Sequence, residues 1–146
     1  MNHFKCQNYS YYTNGIDELF INDLPESKSS GTTKTILYAG NLGEGQGLHK
    51  IIPGLATKSP NYRFVVLGDG GRKSNLIEAS KDINNIELLP PVNRKELLSH
   101  YMSADILFLH LNDYAAFEKV LPSKVFEYAA TGKPILAGVA GYAEHF

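Results

Sequence analysis

The sequence lacks several features that would define a class of protein by themselves. It has a single cysteine, Cys6, which excludes an internal disulfide, and no His/Cys group has zinc-site spacing. No stretch approaches the ~20 apolar residues that a membrane span needs, and residues 1–6 lack the apolar run of a signal peptide. These absences favour a reducing compartment, which we expect to be the cytoplasm, and they predict no bound metal.

The charge has no dominant sign either. Lys and Arg number 14 and Asp and Glu number 15, which gives a formal net charge of -1. This balance is unlike the basic footprint of a nucleic-acid binder, so we predict no nucleic-acid partner. The 146 residues are 43% hydrophobic and 20% charged, which is typical of one globular domain with one core.

Short apolar runs alternate with helical patterns along most of the chain. The predicted strands are 35–39, 63–67, 86–89, 106–109 and 134–138, and the predicted helices are 48–55, 74–80, 94–102 and 122–130. Nearly continuous apolar strands separated by helices indicate an α/β fold with a doubly wound, Rossmann-like parallel sheet. Residues 1–33 are polar and rich in turn signals, such as Asn14-Gly15 and the flexible loop 25–33, so they predict a linker.

Individual residues sharpen these predictions. Pro53 is expected to interrupt the first long helix, and Gly132 to end the last one. Asn93 is expected to cap a helix, with Glu96 as its capping-box partner. Asp105, just before a strand, predicts a turn or cap acceptor. The aromatic residues expected in the core are Tyr101, Phe108 and Phe126.

Two segments could bind phosphate. The glycine-rich loop 40–47 follows the first strand and leads into a helix, so its amides can face an anion. It matches neither a dinucleotide fingerprint nor a P-loop, and a simple tight turn is the alternative. In the second segment, Pro122 opens a helix that carries Lys124 and Glu127, one turn apart. The alternative there is an amphipathic helix with a solvated outer face.

These segments belong to an ordered set of short motifs. The set comprises Asn14-Gly15-Ile16-Asp17, 37–42, 66–70, Ala104-Asp105 and 122–128. It resembles the carboxyl-terminal domain of the family 4 glycosyltransferases, which have the two-domain GT-B fold. The resemblance implies that 1–33 is an interdomain linker and that 34–146 is a nucleotide-sugar-binding domain truncated at its C-terminal end. The acceptor would be bound by a missing N-terminal domain, and we expect no turnover by the chain alone.

The resemblance also implies roles for particular residues. Glu127 would bind the ribose, and Pro91 and Val92 would line the base. The residues placed around the donor diphosphate are Gly40, Asn41, Gly43, Gln46, Pro122, Ser123 and Lys124. His110 and Lys119 are candidate contacts for sugar or phosphate, although a packed or capping role is the alternative for His110.

The chain departs from the family pattern at three positions. Asn41 and Gln46 stand where the family has Arg and Lys, and Lys119 stands eight residues before Glu127, where the family has a second Glu. Two cations of the phosphate site are therefore absent. We hypothesise that Lys124, together with Lys119, replaces their charge.

The activity implied is that of a retaining, metal-independent glycosyltransferase without a cofactor. It would move a hexosyl or N-acetylated amino sugar from a nucleotide sugar, foremost a UDP-sugar, to a glycan or lipid-linked acceptor. Similar amino-sugar transferases build bacterial surface polysaccharides such as lipopolysaccharide, so the full enzyme could contact the inner face of the membrane peripherally. The alternatives are a nucleotide-sugar epimerase of the same fold and a non-catalytic Rossmann-like binding module.

Overall fold

The computed structural model describes residues 15–22, 24–25 and 31–146. Its sheet has five parallel strands in the order β3-β2-β1-β4-β5. The strands are β1 Lys34–Asn41, β2 Tyr62–Asp69, β3 Ile86–Leu89, β4 Ile106–His110 and β5 Ile135–Gly138. The helices are α1 Leu19–Asn22, α2 Leu48–Lys58, α3 Lys73–Ser80, α4 Arg94–Ser103, α5 Lys124–Ala130 and α6 Tyr142–His145, with a 3-10 turn at Ala115–Phe117. The predicted doubly wound α/β fold is confirmed.

Some predictions fall outside the described residues, namely those on Cys6, on Asn14 and on residues 26–30 of the expected loop. The division of the chain at residue 33 stays a prediction. Among the described residues, no helix has the length and apolar character needed to cross a membrane.

The central strand β1 has core on both faces. Successive side chains of a strand point to opposite faces, so Ile36 and Tyr38 pack in one cluster, whereas Leu37 and Ala39 pack in the other. The first cluster includes apolar residues of α2 and α3, and the second includes residues of α1, α4 and α5. Burial on both faces explains why β1 is a continuous apolar run rather than an alternating one.

Helix α2 corrects the expectation at Pro53. The helix runs through this proline to Lys58 instead of being interrupted there. Pro53 lacks the amide that would bond to the carbonyl of His49, and such a loss costs about 3 kcal/mol in a helix interior. Ile52 and Ala56, each 1% exposed, pack on the sheet on either side of the proline and hold the helix together.

The boundaries of the other helices follow the local signals closely. The Asn93 side-chain oxygen accepts a hydrogen bond from the Glu96 amide at 2.9 Å, which confirms the predicted cap of α4. Gly132, with φ 66°, ends α5 as expected.

Helix α5 begins at Lys124 rather than at Pro122. The Pro122 carbonyl accepts a hydrogen bond from the Val125 amide at 3.0 Å, so the proline belongs to the turn that precedes the helix.

The core predictions hold for two of the three aromatic residues. Tyr101 and Phe108 are 1% and 2% exposed. Phe126 is only partly buried and contacts the ring of Phe146 at 5.9 Å, so its assignment to the core was wrong. Residues two apart on a helix point in nearly opposite directions, and Tyr128 takes the core position on α5.

Asp105 acts as the acceptor that its position predicts. Its carboxylate accepts a hydrogen bond from the Thr35 amide at 2.8 Å and another from the Lys34 ammonium at 2.9 Å. The start of β4 is thereby joined to the start of β1, at the edge of the sheet opposite the carboxyl ends of the strands. The prediction that Asp105 acts as an acceptor is confirmed, and the donors described here belong to β1 rather than to a local turn or cap.

Candidate functional site

A cavity of about 420 Å³ lies at the carboxyl ends of β1 and β2. Parallel α/β sheets bind their ligands at this edge, so the position alone suggests a binding site. The cavity is bordered by the ends of these strands, by the segment after β3, and by α4 and α5. Its lining residues are Ala39, Gly40, Asn41, Leu67, Gly68, Asp69, Pro91, Val92, Arg94, Leu97, Tyr101, Ser123, Lys124 and Glu127.

Seven of the predicted site residues meet at this cavity. They are Gly40, Asn41, Pro91, Val92, Ser123, Lys124 and Glu127. Gly43, Gln46, Pro122, His110 and Lys119 are not among the described residues that line it. The cavity therefore unites both segments that the sequence suggested for phosphate binding.

Two glycines leave space at the inner wall of the cavity. A Cβ on Gly40, where φ is 144°, would overlap the Lys124 Nζ. A Cβ on Gly68, where φ is 150°, would overlap the Gly40 carbonyl oxygen. Both conformations favour glycine, and at Gly68 the backbone contact leaves no room for a side chain. The absence of a side chain at Gly40 leaves space for the Lys124 ammonium beside the β1 backbone.

Lys124 is a cation with an unusual environment. Its Nζ lies 4.2 Å from the centre of the Tyr38 ring, and within the described part of the chain it forms no ion pair with a carboxylate. Burial lowers the pKa of Lys124 to about 8, an effect that the charge of Glu127 partly opposes. A positive charge that is desolvated and lacks a carboxylate partner is well suited to bind an anion.

Glu127 is held by two side chains of α4. Its Oε1 accepts a hydrogen bond from Arg94 Nη1 at 2.8 Å, and its Oε2 accepts one from the Tyr101 hydroxyl at 3.1 Å. Burial raises the pKa of Tyr101, so this hydroxyl keeps its proton and acts as a donor. The Glu127 side chain is 18% exposed and borders the cavity. A carboxylate so placed can still accept hydrogen bonds from a ligand.

Sequence reasoning missed Arg94 and assigned Tyr101 only to the core. The two residues lie seven positions apart on α4, which is two helical turns, so they share one face. That face was recognisable as a pattern, but its orientation towards Glu127 depends on how α4 and α5 pack beside the sheet.

The glycine-rich loop is closed by its own polar side chains. The Gln46 side-chain oxygen accepts hydrogen bonds from Asn41 Nδ2 at 3.0 Å and from the Gly43 amide at 3.2 Å. Gln46 therefore shapes the loop, and Asn41 links the loop to the cavity wall. The predicted contacts of Gly43 and Gln46 with phosphate stay predictions.

Glu44 ties this loop to its surroundings and was also missed. Its carboxylate accepts hydrogen bonds from Lys50 and from the Tyr114 hydroxyl, each at 2.9 Å, and pairs with Arg72 at 2.6 Å. The hydrogen bonds from Lys50 and Tyr114 lower the pKa of Glu44 to about 2. The carboxylate thus links α2, the segment after β2 and the loop after β4, which fixes the glycine-rich loop from outside the cavity.

His110 and Lys119 lie outside the cavity. The His110 Nδ1 is 2.7 Å from the Gln46 carbonyl oxygen, which can only accept, so Nδ1 must donate. This contact agrees with a packed or capping role for His110. Lys119 is exposed. A contact of either residue with sugar or phosphate stays a prediction.

An α/β domain with a cavity at the carboxyl edge of its sheet belongs to a broad class of ligand-binding folds, and comparison narrows that class. The model of the family described as "Glycosyl transferases group 1" matches residues 20–146, so the chain belongs to this family. The Escherichia coli K12 protein named putative colanic acid biosynthesis glycosyl transferase WcaI is 29% identical over 125 residues. That match covers 84% of this chain and only 29% of WcaI.

Solved structures share the fold. Anabaena HepE, crystallised in complex with UDP-glucose, superposes with a TM-score of 0.63 at 18% identity, over 77% of this chain and 32% of HepE. The C-terminal domain of the Francisella tularensis group 1 protein LpcC gives a TM-score of 0.56 at 19% identity, over 71% of this chain and 57% of that domain. The resemblance to the carboxyl-terminal domain of a GT-B glycosyltransferase is confirmed, and the chain spans about a third of HepE.

Proposed function

We propose that this chain is the donor-binding domain of a glycosyltransferase and that its cavity holds a nucleoside diphosphate sugar. The observation that carries the proposal is that Lys124 and Glu127, three residues apart on α5, line one cavity with Gly40. A volume of about 420 Å³ falls within the range of ~300–1,000 Å³ usual for small-molecule sites. The cavity offers a cation, a carboxylate and apolar wall to different parts of one ligand.

The arrangement suggests how the donor lies. The diphosphate would lie beside Gly40 and Lys124, where no side chain covers the backbone and the ammonium supplies a positive charge. The ribose would sit at Glu127, whose carboxylate can accept from its hydroxyls. The base would lie against Pro91 and Val92, which line the cavity after β3. Lys119 remains a candidate second cation for the phosphates or the sugar.

The same geometry supports chemistry without a metal ion. When the glycosidic bond to the donor phosphate breaks, the departing diphosphate gains negative charge, and the Lys124 ammonium would stabilise it. Retention of configuration is part of the proposal through the family alone.

We further propose a UDP-sugar as donor and a glycan or lipid-linked acceptor of a bacterial surface polysaccharide. HepE was crystallised with UDP-glucose, and WcaI is named for colanic acid biosynthesis, which support this choice. The sugar would be a hexose or an N-acetylated amino sugar, and a further domain would bind the acceptor. The full enzyme would work in the cytoplasm, at the inner face of the membrane.

Calorimetric titration with UDP, GDP and ADP tests the proposal. We expect one of them, foremost UDP, to bind with the others at least about tenfold weaker, because the wall at Pro91 and Val92 has one shape. Adding glucose or N-acetylglucosamine to the diphosphate would then rank the sugars. Binding of none of the three nucleotides would contradict the proposed function.

A further inference from the structure

One polar network connects the cavity to the segment before β1. Arg94 joins two carboxylates, because Nη1 is 2.8 Å from Glu127 Oε1 and Nη2 is 3.4 Å from Asp17 Oδ2. The guanidinium also lies over the Phe20 ring, with Cζ 4.9 Å from its centre. Residues 15–22, which we call the leading segment, therefore touch the group that holds Glu127.

The network leaves Glu127 with a defined orientation. Each carboxylate oxygen takes one hydrogen bond from α4, from Arg94 on one side and Tyr101 on the other. A carboxylate has about four acceptor positions, so two remain for a ligand in the cavity. Two acceptors held at fixed positions match a pair of adjacent hydroxyl groups better than a single donor.

Aromatic residues pack against the two side chains that donate hydrogen bonds to Glu127. Phe20 is fully buried, and its ring lies 5.9 Å from that of Tyr101. Tyr101 in turn meets Tyr128 edge to face at 5.1 Å. The Tyr101 hydroxyl therefore has little freedom to turn away from Glu127, whereas the Arg94 side chain, 51% exposed, depends on Asp17 and Phe20 for its position.

We propose that Arg94 and Tyr101 are positioning residues that set Glu127 to receive the vicinal 2′- and 3′-hydroxyls of a nucleotide ribose, and that the leading segment holds Arg94 through Asp17 and Phe20. This inference rests on the proposed function, because it requires a nucleotide in the cavity. Neither residue needs to touch the ligand. Their effect is to keep the Glu127 carboxylate from rotating or pairing elsewhere before the ligand arrives, which lowers the cost of ordering it on binding.

The test compares UDP with 2′-deoxy-UDP, since only a contact with the ribose hydroxyl separates the two. We expect the wild-type chain to bind UDP about tenfold or more tightly than 2′-deoxy-UDP, because the lost hydrogen bond has a charged acceptor. Tyr101→Phe and Arg94→Met should each reduce this ratio to about threefold or less. Arg94→Lys, which keeps the charge, should restore part of it.

Matched controls separate positioning from general damage. Tyr62→Phe removes an exposed hydroxyl at the start of β2, and Arg63→Met removes an arginine paired with Glu87 on β3. Both should keep the wild-type ratio of UDP to 2′-deoxy-UDP affinity. Asp17→Asn should reduce the ratio less than Arg94→Met does, because Asp17 acts only through Arg94.

The outcomes distinguish the two proposals. A wild-type chain that prefers UDP and loses the preference in Glu127→Gln, but keeps it in both Tyr101→Phe and Arg94→Met, would overturn the positioning role alone. Equal weakening of UDP and 2′-deoxy-UDP in these two variants would also overturn it, since that is the result of structural damage. If wild type binds no nucleotide, the proposed function fails and this inference fails with it.

Discussion

Lys124 places a buried positive charge at the cavity. Its ammonium lies over the Tyr38 ring and pairs with no carboxylate among the described residues, and burial lowers its pKa to about 8. Asn41 and Gln46, at the two positions where the family resemblance implies Arg and Lys, are joined to each other by a hydrogen bond across the loop. The ammonium of Lys124 is therefore expected to be the main source of positive charge where β1 meets the cavity.

Removing this charge should weaken nucleotide binding. In Lys124→Ala, we expect UDP affinity at low salt to fall at least about tenfold, because a charge-assisted contact with phosphate is lost. Lys58→Ala, an exposed lysine at the end of α2, is the control and should bind as the wild type does. Unchanged affinity in Lys124→Ala, measured by calorimetry, would contradict the hypothesis of charge replacement.

The same amine predicts a pH dependence. The folded, unliganded chain loses the Lys124 proton near pH 8, whereas a bound diphosphate raises the pKa of the amine and favours the proton. UDP affinity should therefore be level from about pH 7 to pH 7.5 and fall above pH 8, by up to about tenfold per pH unit. Lys124→Ala should remove this decline, and a decline of equal size in the variant would count against the assignment.

Among the helices and strands, some features depend on local sequence and others depend on tertiary contacts. Strand positions, the Asn93 cap and the Gly132 stop were predictable because they depend on neighbours in sequence. The interruption of α2 predicted at Pro53 was wrong, because the packing of Ile52 and Ala56 in the core outweighs the cost of a proline in the helix. The contact between Arg94 and Glu127 was unpredictable from local pattern, because the two residues are 33 positions apart. The position of the cavity was predictable from the parallel sheet, because such sheets bind ligands at the carboxyl ends of their strands. The hydrogen bonds around Glu127 were not predictable in this way.

The cap of α4 offers a test at this scale. Asn93→Ala should lower the free energy of unfolding by about 1 kcal/mol, because the Glu96 amide loses its acceptor. Urea denaturation measures the change, with Asn75→Ala on the exposed side of α3 as the control. Equal, small losses in the two variants would show that the cap contributes nothing to stability.

At the scale of the whole molecule, the leading segment is joined to the α/β core. Phe20 is fully buried against residues of the sheet and of α4 and α5, although the sequence around it predicts a linker. Through the contact between Asp17 and Arg94, this segment reaches the polar network that holds Glu127 at the cavity.

Phe20→Ala should therefore destabilise the domain as a core substitution does. We expect a loss of about 3–5 kcal/mol in the free energy of unfolding. Ile21→Ala, at the neighbouring residue, which is 59% exposed, should change it by less than about 0.5 kcal/mol. If both variants unfold at the same urea concentration as the wild type, the segment does not belong to the core in solution.

Binding of a nucleoside diphosphate in the cavity lined by Lys124 and Glu127 is best tested by titrating the chain with UDP, with Glu127→Ala measured in parallel. Glu78→Ala, which removes a surface carboxylate paired with Lys81, is the matched control. We expect wild type and Glu78→Ala to bind UDP alike and Glu127→Ala to bind it at least about tenfold more weakly. Equal binding of UDP by all three proteins would place the nucleotide outside this cavity and contradict the proposed function.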